Sequence, residues 1–336
     1  MAAGSKKAVY TALVANSLVM VVKFAAFVAT GSAAMLSEGI HSLADVGNQS
    51  LLALGIAKSE AAPTAAHPYG FSREQFIWAL ISAVGLFFLG CGVTVYHGIT
   101  ALLSPHASDD ASMSPEILGG VLLFAFLIEG WALVVALRAV NQQRGDMPLL
   151  TYLRKSTDPM TTAVLLEDGT AVAGVVVAAV CISLSIWLES PVPDAIGSIV
   201  IGLMMGVMAV LLVNRNRELL LGEAPDPELV QQISNVIQAQ PEVEAIHDVK
   251  AIVMGGGRIR FKAELDFDAS ELTRRELEQM DLEAIARTVQ GAEDLHRVLA
   301  EFGETMVEAI GDAVDRIEEK ATAEVPELAH MDLEAD

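Results

Sequence analysis

The chain has 336 residues, 53% of them hydrophobic, a mean hydropathy of +0.46 and a formal net charge of −22. That is too apolar for an ordinary soluble domain, and the apolar residues concentrate in the first two thirds, in runs of about 20, the length that crosses a ~30 Å hydrocarbon core. The charge is lopsided: from Glu223 onward 28 acidic side chains stand against 10 basic ones, which argues against nucleic acid and against lying flat on anionic lipid.

Six spans are predicted: Ala8–Thr30, Ala33–Ala57, Gln75–Ile99, Glu116–Val140, Asp158–Leu188 and Val192–Val213. No removable signal peptide is expected, because the first apolar run continues far past a short h-region without a clear cleavage site. Lys and Arg in the short loops set the orientation. Lys6 and Lys7 precede the first span, and Lys58 and Arg73 lie between the second and third. Arg138, Arg144, Arg154 and Lys155 lie at or between the fourth and fifth, and Arg215 and Arg217 follow the sixth. The other three connections, Gly31-Ser32, Ala101–Pro115 and Ser190–Asp194, carry neither residue. The alternation is complete, so both termini are predicted on the cytoplasmic side, or on the equivalent side of an organelle membrane. The connection holding His106, Asp109 and Asp110 reads as a solvated loop.

After Glu223 the pattern becomes that of a small α+β domain. Pro225–Gln240 has helical spacing, and Ile246–Val253 and Arg258–Phe267 read as strands joined by Gly255-Gly256-Gly257. Leu272–Gln290 and Asp294–Lys320 read as helices, and Leu328–Leu333 as an edge strand. The acidic surplus serves solubility, with attraction of cations toward a pore mouth as the functional alternative.

The second span carries the chemistry. Ser37–Asn48 puts Glu38, His41, Asp45 and Asn48 into an apolar helix. His41 and Asp45 are four apart and point the same way, with Glu38 and Asn48 on roughly that face. Ionisable groups inside a bilayer are costly and line sites or pathways. Imidazole nitrogen plus carboxylate oxygen suits Zn²⁺. The fifth span supplies the complement, Glu167 and Asp168. Neighbours on a helix diverge by about 100°, so both cannot face one point equally; Asp168 is the first choice and Glu167 the second.

Other features have plainer readings. Glu129 in the fourth span either relays protons or holds structure against Lys23, which could instead snorkel. Asp194 is a helix-start acid. Gly85, Gly90, Gly92, Gly197, Gly202 and Gly206 permit close helix packing. Cys91 and Cys181 lie in apolar runs and suggest neither a disulfide framework nor a Cys-rich zinc site.

These residues resemble the cation diffusion facilitator family of zinc transporters, and most of all its branch containing the mitochondrial-type zinc transporter of animals. The likeness rests on Ser37–Gln49, Leu51–Ser59, His67–Glu74, Val164–Asp168, Val314–Glu318 and His330–Glu334. The resemblance implies a homodimer in the lipid bilayer that exchanges a divalent metal for protons, with two metal ligands from each of the second and fifth spans. His41 and Asp45 match the first pair and Asp168 half of the second. The remaining position is Val164, a departure that leaves Glu167, Glu38 or water to complete the shell. His67 matches one position of a second family site whose others are Thr64 and Phe71, so that site is not expected. His247 matches a regulatory position, but Ala263 occupies another, so His247 is read as structural. The implied fold is an α-helical membrane protein with six transmembrane helices and a cytoplasmic ferredoxin-like α+β domain. Its domains are residues 1–222 for transport and 223–336 with a helical extension.

The expected function is proton-coupled antiport by alternating access, exporting metal from the cytoplasm. Deprotonated carboxylates and imidazole bind the metal and protons displace it. Zn²⁺ is the first choice as transported substrate, with Mn²⁺, Fe²⁺ or Co²⁺ open. No P-loop is present and no enzyme is expected. The alternative is a membrane-anchored metal sensor or scaffold whose transport site has decayed at Val164. No Arg-rich, acid-poor targeting segment precedes the first span, so a bacterial inner membrane is expected.

Overall fold

The computed structural model describes residues 3–30, 33–103, 115–155 and 159–336. His106, Asp109, Asp110 and Asp158 lie outside the described residues. The chain divides into two compact units, Met1–Leu221 and Gly222–Asp336.

In the first unit, helices occupy every apolar segment. They begin with α1 (Ala3–Thr30) and α2 (Ala33–Ser59). The next segment is continuous but changes winding: α3 (Glu74–Gly85), a π-helical stretch (Leu86–Val93), then α4 (Thr94–Leu103). After it come α5 (Pro115–Arg144), a short α6 (Leu149–Lys155), α7 (Pro159–Leu188) and α8 (Val192–Leu221). The sequence reading missed α6, whose Tyr152 is buried in the core. Among the described residues four stretches are long and apolar enough to cross a membrane: Glu74–Leu103, Gly119–Gln142, Thr161–Leu188 and Val192–Leu221; Val9–Ala25 is a shorter apolar one. This is a helical membrane-type protein with a small C-terminal sheet.

Small side chains fill the inside of this unit. Ala12, Ala79, Ala83, Ala136, Ala163 and Ala209 are buried, whereas Phe88, Trp131, Trp187 and Leu203 face outward. With lipid outside, helices associate through close packing rather than through apolar burial, which favours small residues at contacts. The glycines of α8 show this directly. A Cβ on Gly202 would lie 3.0 Å from the Val95 backbone nitrogen, and one on Gly206 2.8 Å from Cys91 Sγ. A Cβ on Gly197 would meet Cys181 Cβ at 2.8 Å, and one on Gly90 would meet Met205 Cε at 2.6 Å. Both cysteines are free and serve as small partners for glycine. Gly85 and Gly92 do not share this role: Gly85 has nothing within 4 Å of a built Cβ, and Gly92 only Phe87 O at 3.8 Å. Gly98 does share it, with Ala195 O at 2.9 Å.

The second unit runs α9 (Pro227–Gln238), β1 (Val243–Gly255), β2 (Arg258–Phe267), α10 (Ala269–Gln279), α11 (Leu282–Thr288), α12 (Ala292–Glu324) and β3 (Leu328–Ala335). Asp226 caps α9 by accepting from Glu228 N at 3.0 Å, and Asp268 caps α10 by accepting from Ser270 N at 2.9 Å. The sheet order is β1-β2-β3, with β2 antiparallel to β1 and parallel to β3. Gly256 and Gly257 turn the β1–β2 hairpin at φ of 64° and 73°, the left-handed pair that a tight two-residue turn requires. Alternation along β2 puts Ile259, Phe261, Ala263 and Leu265 in the core, against Ile233 and Ile237 of α9 and Ile317 and Ala321 of α12. Arg260 and Lys262, on the opposite face, reach Asp332 and Glu334 of β3, each at 2.8 Å. One expected helix, Leu272–Gln290, is two. Met280 leaves helical geometry and the Asp281 side chain starts α11 by accepting from Ala284 N at 3.0 Å.

Candidate metal centre

Asp45, on α2, is half-buried. Asp168, on α7, is 3% exposed and Glu167 beside it 5%. The carboxylates of Asp45 and Asp168 lie within electrostatic reach of each other; Glu129 of α5 also reaches Asp168, and Asp45 also reaches Glu167. Three helices far apart in sequence therefore turn acids toward one region. Among the described residues, Asp168 Oδ2 is buried with no hydrogen-bond partner. A buried carboxylate oxygen is costly to leave unmet, and a cation supplies what it lacks.

The side chains of His41 and Glu38 lie outside the described residues, although α2 carries both positions. Among the described residues no three His, Cys, Asp or Glu side chains gather as a metal cluster. Of the expected ligands, Asp45, Asp168 and Glu167 have described side chains. Val164 is fully buried in the apolar core with Ala163 and Leu165. It lies one turn before Asp168 and offers no ligand atom.

Glu167 is engaged elsewhere. Its Oε1 accepts from Asn48 Nδ2 at 2.8 Å and its Oε2 accepts from Gln49 Nε2. Asn48 Oδ1 in turn accepts from Ser82 Oγ of α3. The sequence reading left Asn48 without a task and did not single out Gln49 or Ser82. The available signal was a run of three consecutive polar residues, Asn48-Gln49-Ser50, about one turn past Asp45 on the same helix.

His67 lies in the connection after α2, its ring 4.6 Å from that of Phe71. Lys23 and Glu129 are both buried in the membrane-type unit. In the second unit His247 Nε2 is 2.9 Å from Asp266 Oδ2, in an exposed pair.

A helical membrane domain with acids and carboxamides at its centre belongs to the class that handles cations inside a bilayer. The cation efflux transmembrane domain model matches residues 9–221, and the chain belongs to that family. It is 41% identical, over 98% of its length, to the proton-coupled zinc antiporters SLC30A9, mitochondrial, of Mus musculus and Homo sapiens. It covers 59% and 58% of those proteins, about three fifths of their length. It is 37% identical to metal tolerance protein C4 of Arabidopsis thaliana, over 98% of this chain and 73% of that protein. These relatives correct one expectation. They are eukaryotic, and the animal ones are named as mitochondrial, so the bacterial inner membrane does not stand. That expectation rested on what precedes the first span, and a chain matching three fifths of its relatives carries no information on a leader.

Proposed function

We propose that the chain is a divalent-metal transporter, with Zn²⁺ as first substrate, exchanging metal for protons across a eukaryotic organellar membrane. The observation that carries this reading is the convergence of Asp45 and Asp168, from α2 and α7, on a buried polar region where Asp168 Oδ2 lacks a hydrogen bond. The relatives named as proton-coupled zinc antiporters support zinc and protons as the exchanged species. In this reading all six long helical segments span the membrane. Residues 1–222 form the transport domain and residues 223–336 a ferredoxin-like domain on the Lys- and Arg-rich side, and the protein works as a homodimer. His41, Asp45 and Asp168 hold the metal, and Glu38 or water completes a shell that Val164 leaves open. Glu167 is the weaker ligand, since both of its oxygens already accept carboxamide hydrogens. The metal binds deprotonated ligands and protons release it, so a pH gradient drives the cycle through alternating access.

Zinc flux in proteoliposomes under an imposed pH gradient tests the reading. Flux by the parent and background flux by Asp45→Ala are expected; equal flux by both sinks the site assignment. The burial of Val164 in the apolar core favours a second reading, a membrane-anchored sensor or scaffold with a decayed transport site. Absence of flux from the parent, with zinc still bound, selects it.

A further inference from the structure

The Glu167 network does more than occupy a carboxylate. α2 packs on α1 and α3, and α7 on α5 and α8, while α2 and α7 have little backbone contact with each other. Glu167 bridges them with one hydrogen bond from Asn48 and one from Gln49, across 119 and 118 residues of sequence. Ser82 extends the bridge to α3. All four side chains are buried.

In the six-span reading the bridge has a position along the membrane normal. α2 runs from Ala33 toward Lys58, so Asn48 and Gln49 lie about one turn nearer the Lys- and Arg-rich side than Asp45. α7 starts at Pro159 on that same side, and helical side chains lean toward the helix N-terminus. Glu167 therefore reaches back from the level of Asp168 toward that side.

We propose that Glu167, Asn48 and Gln49 form a gate that closes the α2–α7 crevice on the Lys- and Arg-rich side of the Asp45–Asp168 site. The proposal rests on the transport reading. In the closed state each Glu167 oxygen accepts one carboxamide hydrogen and the crevice is sealed. Opening separates α7 from α2 and breaks both bonds, exposing the site to that side. Glu167 is then a positioning residue and not a ligand. Carboxamide–carboxyl hydrogen bonds suit this role, because they hold when buried and closed and water can replace them when open.

The test is accessibility, which needs no transport. Asp45→Cys is placed in a chain carrying Cys91→Ser and Cys181→Ser, in sealed vesicles of one orientation. A membrane-impermeant maleimide is applied to either face. With the gate intact, labelling from the Lys- and Arg-rich side is slow. Glu167→Ala, and independently Asn48→Ala with Gln49→Ala, are expected to raise that rate about tenfold or more, as loss of two buried hydrogen bonds warrants. Glu167→Gln is expected to stay near the parent, because a flip of the Gln49 carboxamide, whose Oε1 has no partner, restores both bonds. Unchanged sidedness in both alanine variants, or equal opening by Glu167→Gln, overturns the gate. Absence of zinc flux from the parent overturns the transport reading instead, and equal flux by Asp45→Ala sinks only the site assignment; both leave the labelling result standing, so the failures are separable.

Discussion

The membrane-type unit and the C-terminal unit distribute their polar groups in opposite ways. In the first, Lys23, Asn48, Gln49, Glu129, Glu167 and Asp168 are buried while Phe88, Trp131 and Trp187 face outward. In the second, Glu242 is the buried polar residue among those described; the core is Ile233, Phe261, Leu265 and Ile317, and the charges sit outside. The difference follows from solvent. A domain in water gains by hiding apolar area. A helix bundle in lipid gains nothing from that and can place polar groups inside, provided they meet one another or a cargo ion. Buried polar groups therefore concentrate in the first unit and a conventional apolar core in the second.

Removing a central acid from the first unit breaks the comparison most sharply. Asp168→Ala is expected to take zinc flux to background while the protein still purifies as a monodisperse species. Wild-type flux in that variant would mean that the buried acids are structural. In the second unit the largest effect comes from apolar loss. Phe261 is fully buried, so Phe261→Ala is expected to cost about 3–5 kcal/mol of the unit's stability in chemical denaturation of the full chain. Transport residues should be unaffected until that unit melts. A cost below about 1 kcal/mol would show that the sheet and α12 do not share one close-packed core.

The same contrast decides what was legible in the sequence. The α1, α2, α3–α4, α5, α7 and α8 helices stand out because apolar runs of that length have one economical conformation in lipid. The strands of the second unit stand out through alternation, as in Arg260-Phe261-Lys262-Ala263. The break between α10 and α11 was hidden inside a plausible helical run, although Asp281 is a capping residue in plain view. Asp45 and Asp168 were visible as residue types out of place. The engagement of Glu167 was not, because its partners sit more than a hundred residues away and no local period links α2 to α7. The π-helical stretch was equally silent, although Gly90 within it packs closely on Met205 of α8.

Intermediate effects probe packing in the first unit. A Cβ on Gly98 would meet the Ala195 carbonyl oxygen at 2.9 Å and the Ile199 nitrogen at 3.0 Å. Both are backbone atoms and cannot swing aside. Gly98→Ala is expected to destabilise the α4–α8 contact by about 1–3 kcal/mol, read as a lower thermal midpoint in detergent. An unchanged midpoint would mean the helices slide at little cost. A surface pair in the second unit should matter less. Lys262→Ala removes the 2.8 Å bond to Glu334; the pair is solvent-screened, so the unit's denaturation midpoint is expected to stay close to the parent's.

The smallest expected effect is a pH dependence at Glu318 on α12. Partial burial raises its carboxyl above the ordinary value of 4.5, Asp315 and Asp332 push in the same direction, and the hydrogen bond it accepts from Leu333 N opposes them. A carboxyl raised in the folded state binds its proton more tightly folded than unfolded. The stability this lends is fully present below the unfolded value of about 4.5 and is lost as pH rises through the folded value. Above that, the ionised group is a small standing cost. Glu318→Gln keeps an acceptor for Leu333 N and abolishes the ionisation. It should therefore flatten the pH dependence of the second unit's stability above pH 4.5 and leave the variant slightly the more stable at neutral pH. Denaturation curves of parent and variant at pH 4 and pH 7 measure this. If the variant were the less stable of the two at pH 7, the Leu333 bond would outweigh burial. The charged face of this unit would then tie β3 to α12 rather than merely keep the surface wet.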